Sequence, residues 1–268
     1  KTCKNVVKMM KSIQRKRKHS DTGFLSEKEE EEKPHVEEVY FDKTFYFSPF
    51  LTIRLSEIPD ADYAHRLWNA AVFLSFYLWQ HHTLVKDKRV IELGSGVSLP
   101  GLLCSKLGAK SVLLTDLPHV IPKISRIIHV NQCALNTQAT ALSYGDILSL
   151  KDDDEEEEDQ HAFDVILASD LFYDNDHDWD DILFTIRYLL LSSPHAECFL
   201  MYHQRSNRTS LQPFMAKWNL HGEQVHFDMP YETFLQIQQK KHPSPFDYRQ
   251  FLKSFHSHHL YRLTSSRI

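Results

Sequence analysis

Along the middle of the chain, short apolar runs that close on an acid or a small polar residue alternate with longer stretches whose apolar residues return every three or four positions. The runs Arg89 to Leu93, Ser111 to Asp116, Phe163 to Ser169 and Cys198 to Tyr202 predict strands, with a shorter one near Ala139 to Tyr144. The helical spacing of Leu67, Trp68, Ala71, Val72, Leu74, Ser75, Leu78 and Trp79 predicts a helix from Asp62 to Gln80, with Asp60 or Asp62 as N-cap. Further helices are expected over Ser98–Leu107, with Pro100 in its first turn and Gly108 at its end, over Pro118–Leu135, Trp179–Leu191 and Ser210–Trp218. Ile182, Ile186 and Leu189 mark the core face of the Trp179 helix. Strand and helix alternating in this way make βαβ crossovers, so the fold class is α/β with a parallel sheet covered on both faces. Gln224 to Phe227 and His258 to Thr264 read as an antiparallel pair closing the sheet, and the mostly helical Tyr231 to Phe255 between them is broken by Pro243 and Pro245. Before the sheet, Val39 to Phe41, Phe45 to Phe47 and the alternating Leu51 to Leu55 predict a small β-rich N-terminal extension.

Composition adds boundaries to this picture. The chain has 268 residues, enough for one full core, and residues 36–268 are read as a single domain behind a disordered charged tail, 1–35. The net charge of -5 conceals a basic tail ending in Arg15-Lys16-Arg17-Lys18 and acidic runs at Glu29 to Glu32 and Asp152 to Asp159, the latter inside an acidic loop insert, 151–160. The basic cluster reads either as a nuclear-import signal or as a solvated tail, so a cytoplasmic or nuclear location is expected. The 4 cysteines are widely spaced, which speaks against a disulfide framework or zinc cage. The 17 histidines do not supply a metal set either, since no Cys or carboxylate recurs at ligand spacing near His81-His82 or near His256, His258 and His259. No apolar run approaches the ~20 residues of a membrane span.

The chemistry concentrates in Arg89-Val90-Ile91-Glu92-Leu93-Gly94-Ser95-Gly96-Val97-Ser98-Leu99-Pro100-Gly101. Only 7 glycines occur in the chain, and Gly94, Gly96, Gly101 and Gly108 fall in or just after this stretch. An acid-ended strand, a Gly-x-Gly turn, a helix and a second acid-ended strand describe a nucleoside site at the carboxyl ends of parallel strands. A dinucleotide turn would place a third glycine where Leu99 stands, and a P-loop would need Gly-Lys-Ser/Thr. Glu92 at the turn would repel a pyrophosphate but suits a cofactor carrying an ammonium, and Asp116 suits a ribose diol. S-adenosyl-L-methionine has that ammonium and no phosphate.

These residues resemble the seven-strand, class I S-adenosylmethionine-dependent methyltransferases, and within them the protein methyltransferase group called family sixteen. Glu92 to Gly101, Tyr63 to Trp68, Tyr77-Leu78-Trp79, Ala168-Ser169-Asp170-Leu171-Phe172-Tyr173 and Tyr202-His203-Gln204-Arg205-Ser206 carry the resemblance, which covers roughly residues 36 to 268. It implies a Rossmann-like methyltransferase sheet, mostly parallel with an antiparallel C-terminal strand. It also implies that Glu92, Gly94 and Gly96 hold the methionine end of the cofactor. Asp116 and Leu117 would hold the ribose and adenine, with Trp68 as a cover. Tyr144 stands where the family has a Trp-Gly-Asp loop beside the adenine, and Ala168 and Ser169 would line the cofactor.

Asp170 and Tyr173 follow a strand directly and are expected beside the transferred methyl, Asp170 binding a cationic amine or guanidinium and Tyr173 adding an aromatic wall or hydroxyl. Asp174, Asp176, Asp178, Asp180 and Asp181 would give the rim a negative potential, although Asp178 and Asp180 serve equally as charges at a helix N-terminus. A basic protein is the expected partner, with no direct nucleic acid and a monomeric enzyme. The chain resembles most a histone-arginine-associated member of the group, so arginine is favoured as acceptor, Asp170 and Asp174 pairing on its guanidinium. The Asp-x-x-Tyr pattern resembles instead that of the lysine enzymes, and a cofactor-binding module without turnover is a further alternative.

Overall fold

The computed structural model describes residues 41–48, 50–58, 63–147, 162–173, 175–205, 210–228 and 248–266. The expected tail 1–35 and the acidic insert 151–160 lie outside the described residues, as do Asp60, Asp62, Asp174, Pro243 and Pro245.

In chain order, Phe41–Ser48 (β1) and Leu51–Glu57 (β2) precede the helix Asn69–Gln80 (α1) and the strand Arg89–Leu93 (β3). Leu99–Lys106 (α2), Ser111–Asp116 (β4), Ile121–Val130 (α3), Thr137–Ala141 (β5) and Val165–Ser169 (β6) follow. The chain then runs through Trp179–Ser192 (α4), Glu197–His203 (β7), Gln212–Lys217 (α5), Leu220–Val225 (β8), Tyr248–Phe255 (α6) and His258–Ser265 (β9). Seven strands form one sheet in the order β5-β4-β3-β6-β7-β9-β8, parallel except for β9, which runs antiparallel to both neighbours. The α/β fold and its antiparallel C-terminal pairing are as expected.

β3 sits between β4 and β6, where the order of strands along the chain reverses, so a crevice opens beyond its carboxyl end. Its side chains divide the core. Val90, with Val112, Leu114, Val165, Leu167 and Phe199, packs under α1, α2 and α3; Ile91 and Leu93, with Ile166, Ala168, Cys198 and Leu200, pack under α4. Burial on both faces is what the unbroken apolar runs encode. β1 and β2 pair as an antiparallel two-stranded sheet whose Phe47, Ile53 and Leu55 join the first of these clusters. The two aromatic runs expected there form a single strand from Phe41 onward, with Val39 and Tyr40 outside the described residues.

Helix ends depart from the sequence reading for local reasons. α1 begins at Asn69, because the preceding segment makes a 3₁₀ turn at Tyr63–His65 and Trp68 is extended, φ -88° and ψ 149°. Tertiary bonds hold that segment away from the helix axis: Lys123 Nζ donates to the Ala64 carbonyl (2.9 Å), Leu67 N to Glu57 Oε1 (2.8 Å) and Ile58 N to the His65 carbonyl (3.1 Å). α3 ends early at Asn131, whose amide accepts from Arg54 N (2.8 Å) and donates to the Arg54 carbonyl (2.7 Å), giving the edge of β2 a side-chain partner in place of a strand. α2 closes as expected at Gly108, φ +90°, where Gly108 N donates to Ser105 O and Ala109 N to Cys104 O. β8 starts at Leu220, earlier than Gln224, because the whole of Leu220 to Val225 pairs with β9.

Candidate cofactor and acceptor site

The crevice beyond β3, β4 and β6 is a cleft of about 580 Å³. Its floor is the turn after β3, where Gly94 and Gly96 take φ of +56° and +52°, a region costly for residues with a Cβ. A Cβ on Gly94 would collide with the Tyr144 hydroxyl and lie 2.8 Å from Leu171 Cδ2; one on Gly96 would lie 3.2 Å from the Ala64 carbonyl. Asp116 ends β4 with one carboxylate oxygen accepting from Gly96 N (2.7 Å) and the other from Leu117 N (2.8 Å). Burial raises the Asp116 pKa above the ordinary carboxylate value, opposed by those two N–H groups and by the charges of Lys123 and His119. Ser95 Oγ, in the cleft wall and buried, has no hydrogen-bond partner among the described residues.

Trp68, Gly94, Gly96, Asp116, Leu117, Tyr144, Ser169, Asp170 and Tyr173 all line this cleft. Glu92 and Ala168 do not. Ala168 is fully buried in the sheet, and Glu92 turns behind the glycine loop, where its Oε2 accepts from Gly101 N at 2.9 Å. The reason is Gly101 itself: a Cβ there would lie 2.6 Å from that oxygen, so only glycine lets the first turn of α2 close over the acid. Burial pushes the Glu92 carboxyl up to about 8, the Gly101 N–H pulling against it and the Asp116 charge adding to it. Glu92 therefore supports the turn from behind through Oε2, while its Oε1 is buried with no hydrogen-bond partner among the described residues.

Also lining the cleft, Asp170 follows β6 with φ 52°, a left-handed conformation that is uncommon outside glycine, and its N–H donates to Met201 O at 3.0 Å. Its carboxylate is held by Arg205, Nη1 to Oδ1 at 3.1 Å and Nη2 to Oδ2 at 3.0 Å, while Nη1 also reaches the Phe172 carbonyl at 3.1 Å. The expected partner of Asp170, Asp174, lies outside the described residues. Tyr173 is set by Asn175, which accepts from Tyr173 N (2.9 Å) and donates to the Leu171 carbonyl (3.1 Å). Its ring lies 5.5 Å from that of Tyr63, which lies 5.8 Å from Trp68, and Trp68 Nε1 donates to the Tyr63 carbonyl.

The rim is less acidic than its aspartates suggest. Of Asp176, Asp178, Asp180 and Asp181, only Asp178 lines the cleft, and Arg66 and Arg205 line it as well. Asp180 bonds Lys217 (2.6 Å) and Trp218 Nε1 (2.9 Å), tying α4 to α5. Tyr63, Arg66, Arg205 and Asn175 were not singled out by their chemistry in the sequence. Arg205 was visible only inside a family motif, because its partner stands 35 positions away on the neighbouring strand end. Among the described residues, no group of three or more His, Cys, Asp or Glu is arranged to hold a metal, and no helix is long and apolar enough to cross a membrane.

Comparison with known proteins bears on this cleft. A family profile described as lysine methyltransferase matches residues 49–220. A histone-arginine methyltransferase, METTL23 of Xenopus laevis, is 34% identical over 190 residues, 69% of this chain and 74% of that protein. An EEF1A lysine methyltransferase 3 of Xenopus tropicalis is 30% identical over 200 residues, 74% of this chain and 84% of that protein. Among solved structures, a Thermus thermophilus 16S rRNA methyltransferase in complex with AdoMet and guanosine shares the fold at a TM-score of 0.52 and 13% identity, covering 85% of this chain and 50% of that one. With the glycine turn, the sheet order and these matches together, the chain belongs to the methyltransferase family described as lysine methyltransferase, on the class I methyltransferase fold.

Proposed function

We propose that this chain is an S-adenosylmethionine-dependent methyltransferase that acts on a basic side chain of a protein, with arginine the favoured acceptor. The observation that carries the reading is that one cleft is lined by the glycine turn and Asp116 together with Asp170, Tyr173 and the rings of Tyr63 and Trp68. The residues fit the cofactor. Asp116 keeps acceptor capacity for a ribose diol, Leu117 and Tyr144 line the cleft and would flank the adenine, and the buried Ser95 hydroxyl is a polar group still in need of a partner. Gly94 and Gly96 would leave the turn open to the methionine end, and Trp68 would cover it.

When bound, S-adenosylmethionine supplies an electrophilic methyl on a sulfonium whose departure needs no proton. The chain's own task is then to position a nitrogen and exclude water. Asp170 orients a cationic acceptor, while the rings of Tyr63, Trp68 and Tyr173 wall the mouth and favour a cation over their faces. The histone-arginine relative supports arginine. A lysine acceptor is the second reading, favoured by the EEF1A-directed relative.

Incubation with methyl-labelled S-adenosylmethionine and either core histones or elongation factor 1A, followed by mass spectrometry of the labelled residue, tests both readings. Label on arginine is expected, and Asp116→Ala should abolish it. Label on lysine alone selects the second reading; equal labelling by wild type and Asp116→Ala would overturn the assignment of the cleft.

A further inference from the structure

Arg205 is the least expected group in the cleft. It comes from the end of β7, next to β6, and its guanidinium is flat against Asp170 with both Nη atoms engaged. The geometry is bidentate and includes a third acceptor, the Phe172 carbonyl, so three hydrogen bonds converge on one end of one guanidinium. The Asp170 side chain is only 8% exposed and Arg205 26%, so the pair is mostly withdrawn from water. The chain also accepts a cost to build it. Asp170 takes a left-handed φ of 52°, held there by its bond to Met201 O, and strain of this kind persists where surrounding contacts over-determine it.

Arg205 is itself braced from the C-terminal side. The preceding residue, Gln204, donates from its backbone to the Ser257 carbonyl (2.7 Å) and bonds through its side chain to His259 (2.9 Å). His203, one residue earlier, stacks on the buried His258 with ring centroids 4.3 Å apart. The antiparallel strand β9 thus sets where β7 releases Arg205 into the cleft.

Building on the methyltransferase reading above, we propose that Asp170 and the Phe172 carbonyl form a guanidinium receptor, in which Arg205 stands in for a substrate arginine and must be displaced for that arginine to enter. A lysine ammonium has no planar fork to match this receptor, whereas a guanidinium matches it in two parallel bonds. The pair therefore marks the acceptor subsite as one for arginine and makes Arg205 its internal competitor.

The test uses the full chain and two small probes, Nα-acetylarginine methylamide and its lysine counterpart, titrated while NMR shifts are followed. Arg205→Ala is expected to bind the arginine probe at least about tenfold tighter than wild type and to prefer it to the lysine probe, because a charge-assisted bidentate site has been vacated. Adding Asp170→Asn to Arg205→Ala should abolish the gain. Arg205→Lys, which leaves a cation on Asp170 without the fork, should fall between wild type and Arg205→Ala. Where Arg205→Ala lowers the melting temperature, the arginine probe should recover it and the lysine probe should not. No gain in Arg205→Ala, a gain that survives Asp170→Asn, or an equal gain for the lysine probe would overturn the receptor. S-adenosylmethionine titrated into the same wild-type sample separates the two claims. Cofactor binding without any gain for the arginine probe sinks the receptor alone, whereas no cofactor binding sinks the methyltransferase reading and the receptor's substrate role with it.

Discussion

Glu92 closes β3 with one carboxylate oxygen on Gly101 N and the other buried without a hydrogen-bond partner among the described residues. Its place at the end of β3 is legible in the sequence, but its direction is not, because that depends on Gly101 closing α2 over it. A consequence is testable through pH. The folded-state pKa of about 8 lies above the ordinary value of 4.5, so the folded chain holds a proton that the unfolded chain releases. The stability associated with Glu92 is then fully present below about pH 4.5 and is lost as the pH rises to about 8. Urea denaturation across this range should show wild-type stability declining by on the order of a few kcal/mol. Glu92→Gln, which keeps an acceptor for Gly101 N without a titrating proton, should flatten the decline; an unchanged slope would contradict a buried, protonated Glu92. Asp170 gives the complementary lesson. Its position beside the cleft is readable from the strand that precedes it, while its occupation by Arg205 depends on two strand ends being neighbours, which no local pattern records.

Strands were easier to read than the segments between them. β3 and β4 run from Arg89 to Leu93 and from Ser111 to Asp116, as their apolar runs predict, since strands buried on both faces need uninterrupted apolar residues. The expected helix before β3 reaches too far toward its N-terminus because Leu67 and Trp68 share the apolar spacing of α1, yet Leu67 packs against the first apolar cluster and Trp68 lines the cleft. That segment is tied down by Lys123 of α3, a buried lysine whose Nζ meets the Ala64 carbonyl at 2.9 Å. Lys123→Met keeps the stem and removes the Nζ bond to the Ala64 carbonyl, at a cost of about 1–3 kcal/mol. Amides of residues 63–68 should exchange faster with solvent, and S-adenosylmethionine should bind about tenfold more weakly, reflecting that cost. Unchanged exchange would show that other contacts hold the segment.

Taken together, the parts form one arrangement: a sheet whose strand order reverses at β3, two apolar clusters that fix its faces, and an N-terminal hairpin docked on the first of them. The hairpin is joined to α3 by the two Asn131 bonds to the Arg54 backbone, the kind of link that composition cannot reveal because its ends lie 77 residues apart. Asn131→Ala should lower stability by about 2 kcal/mol in denaturant titration, through the loss of its two part-buried bonds to Arg54 and its buried bond to the Ile127 carbonyl. A loss within ±0.5 kcal/mol, the range of a neutral surface change, would contradict this link. The hairpin's Glu57 also bonds Leu67 N, so the N-terminal sheet and the cleft wall share a support.

The cleft itself is the centre of the account, and calorimetric titration with S-adenosylmethionine tests it most directly. Wild type should bind one molecule per chain, and Asp116→Ala, and Gly94→Ala through its clash with Tyr144, should each lose most of that affinity while remaining folded. An absence of binding heat from folded wild type, or Asp116→Ala binding as tightly as wild type, would contradict it.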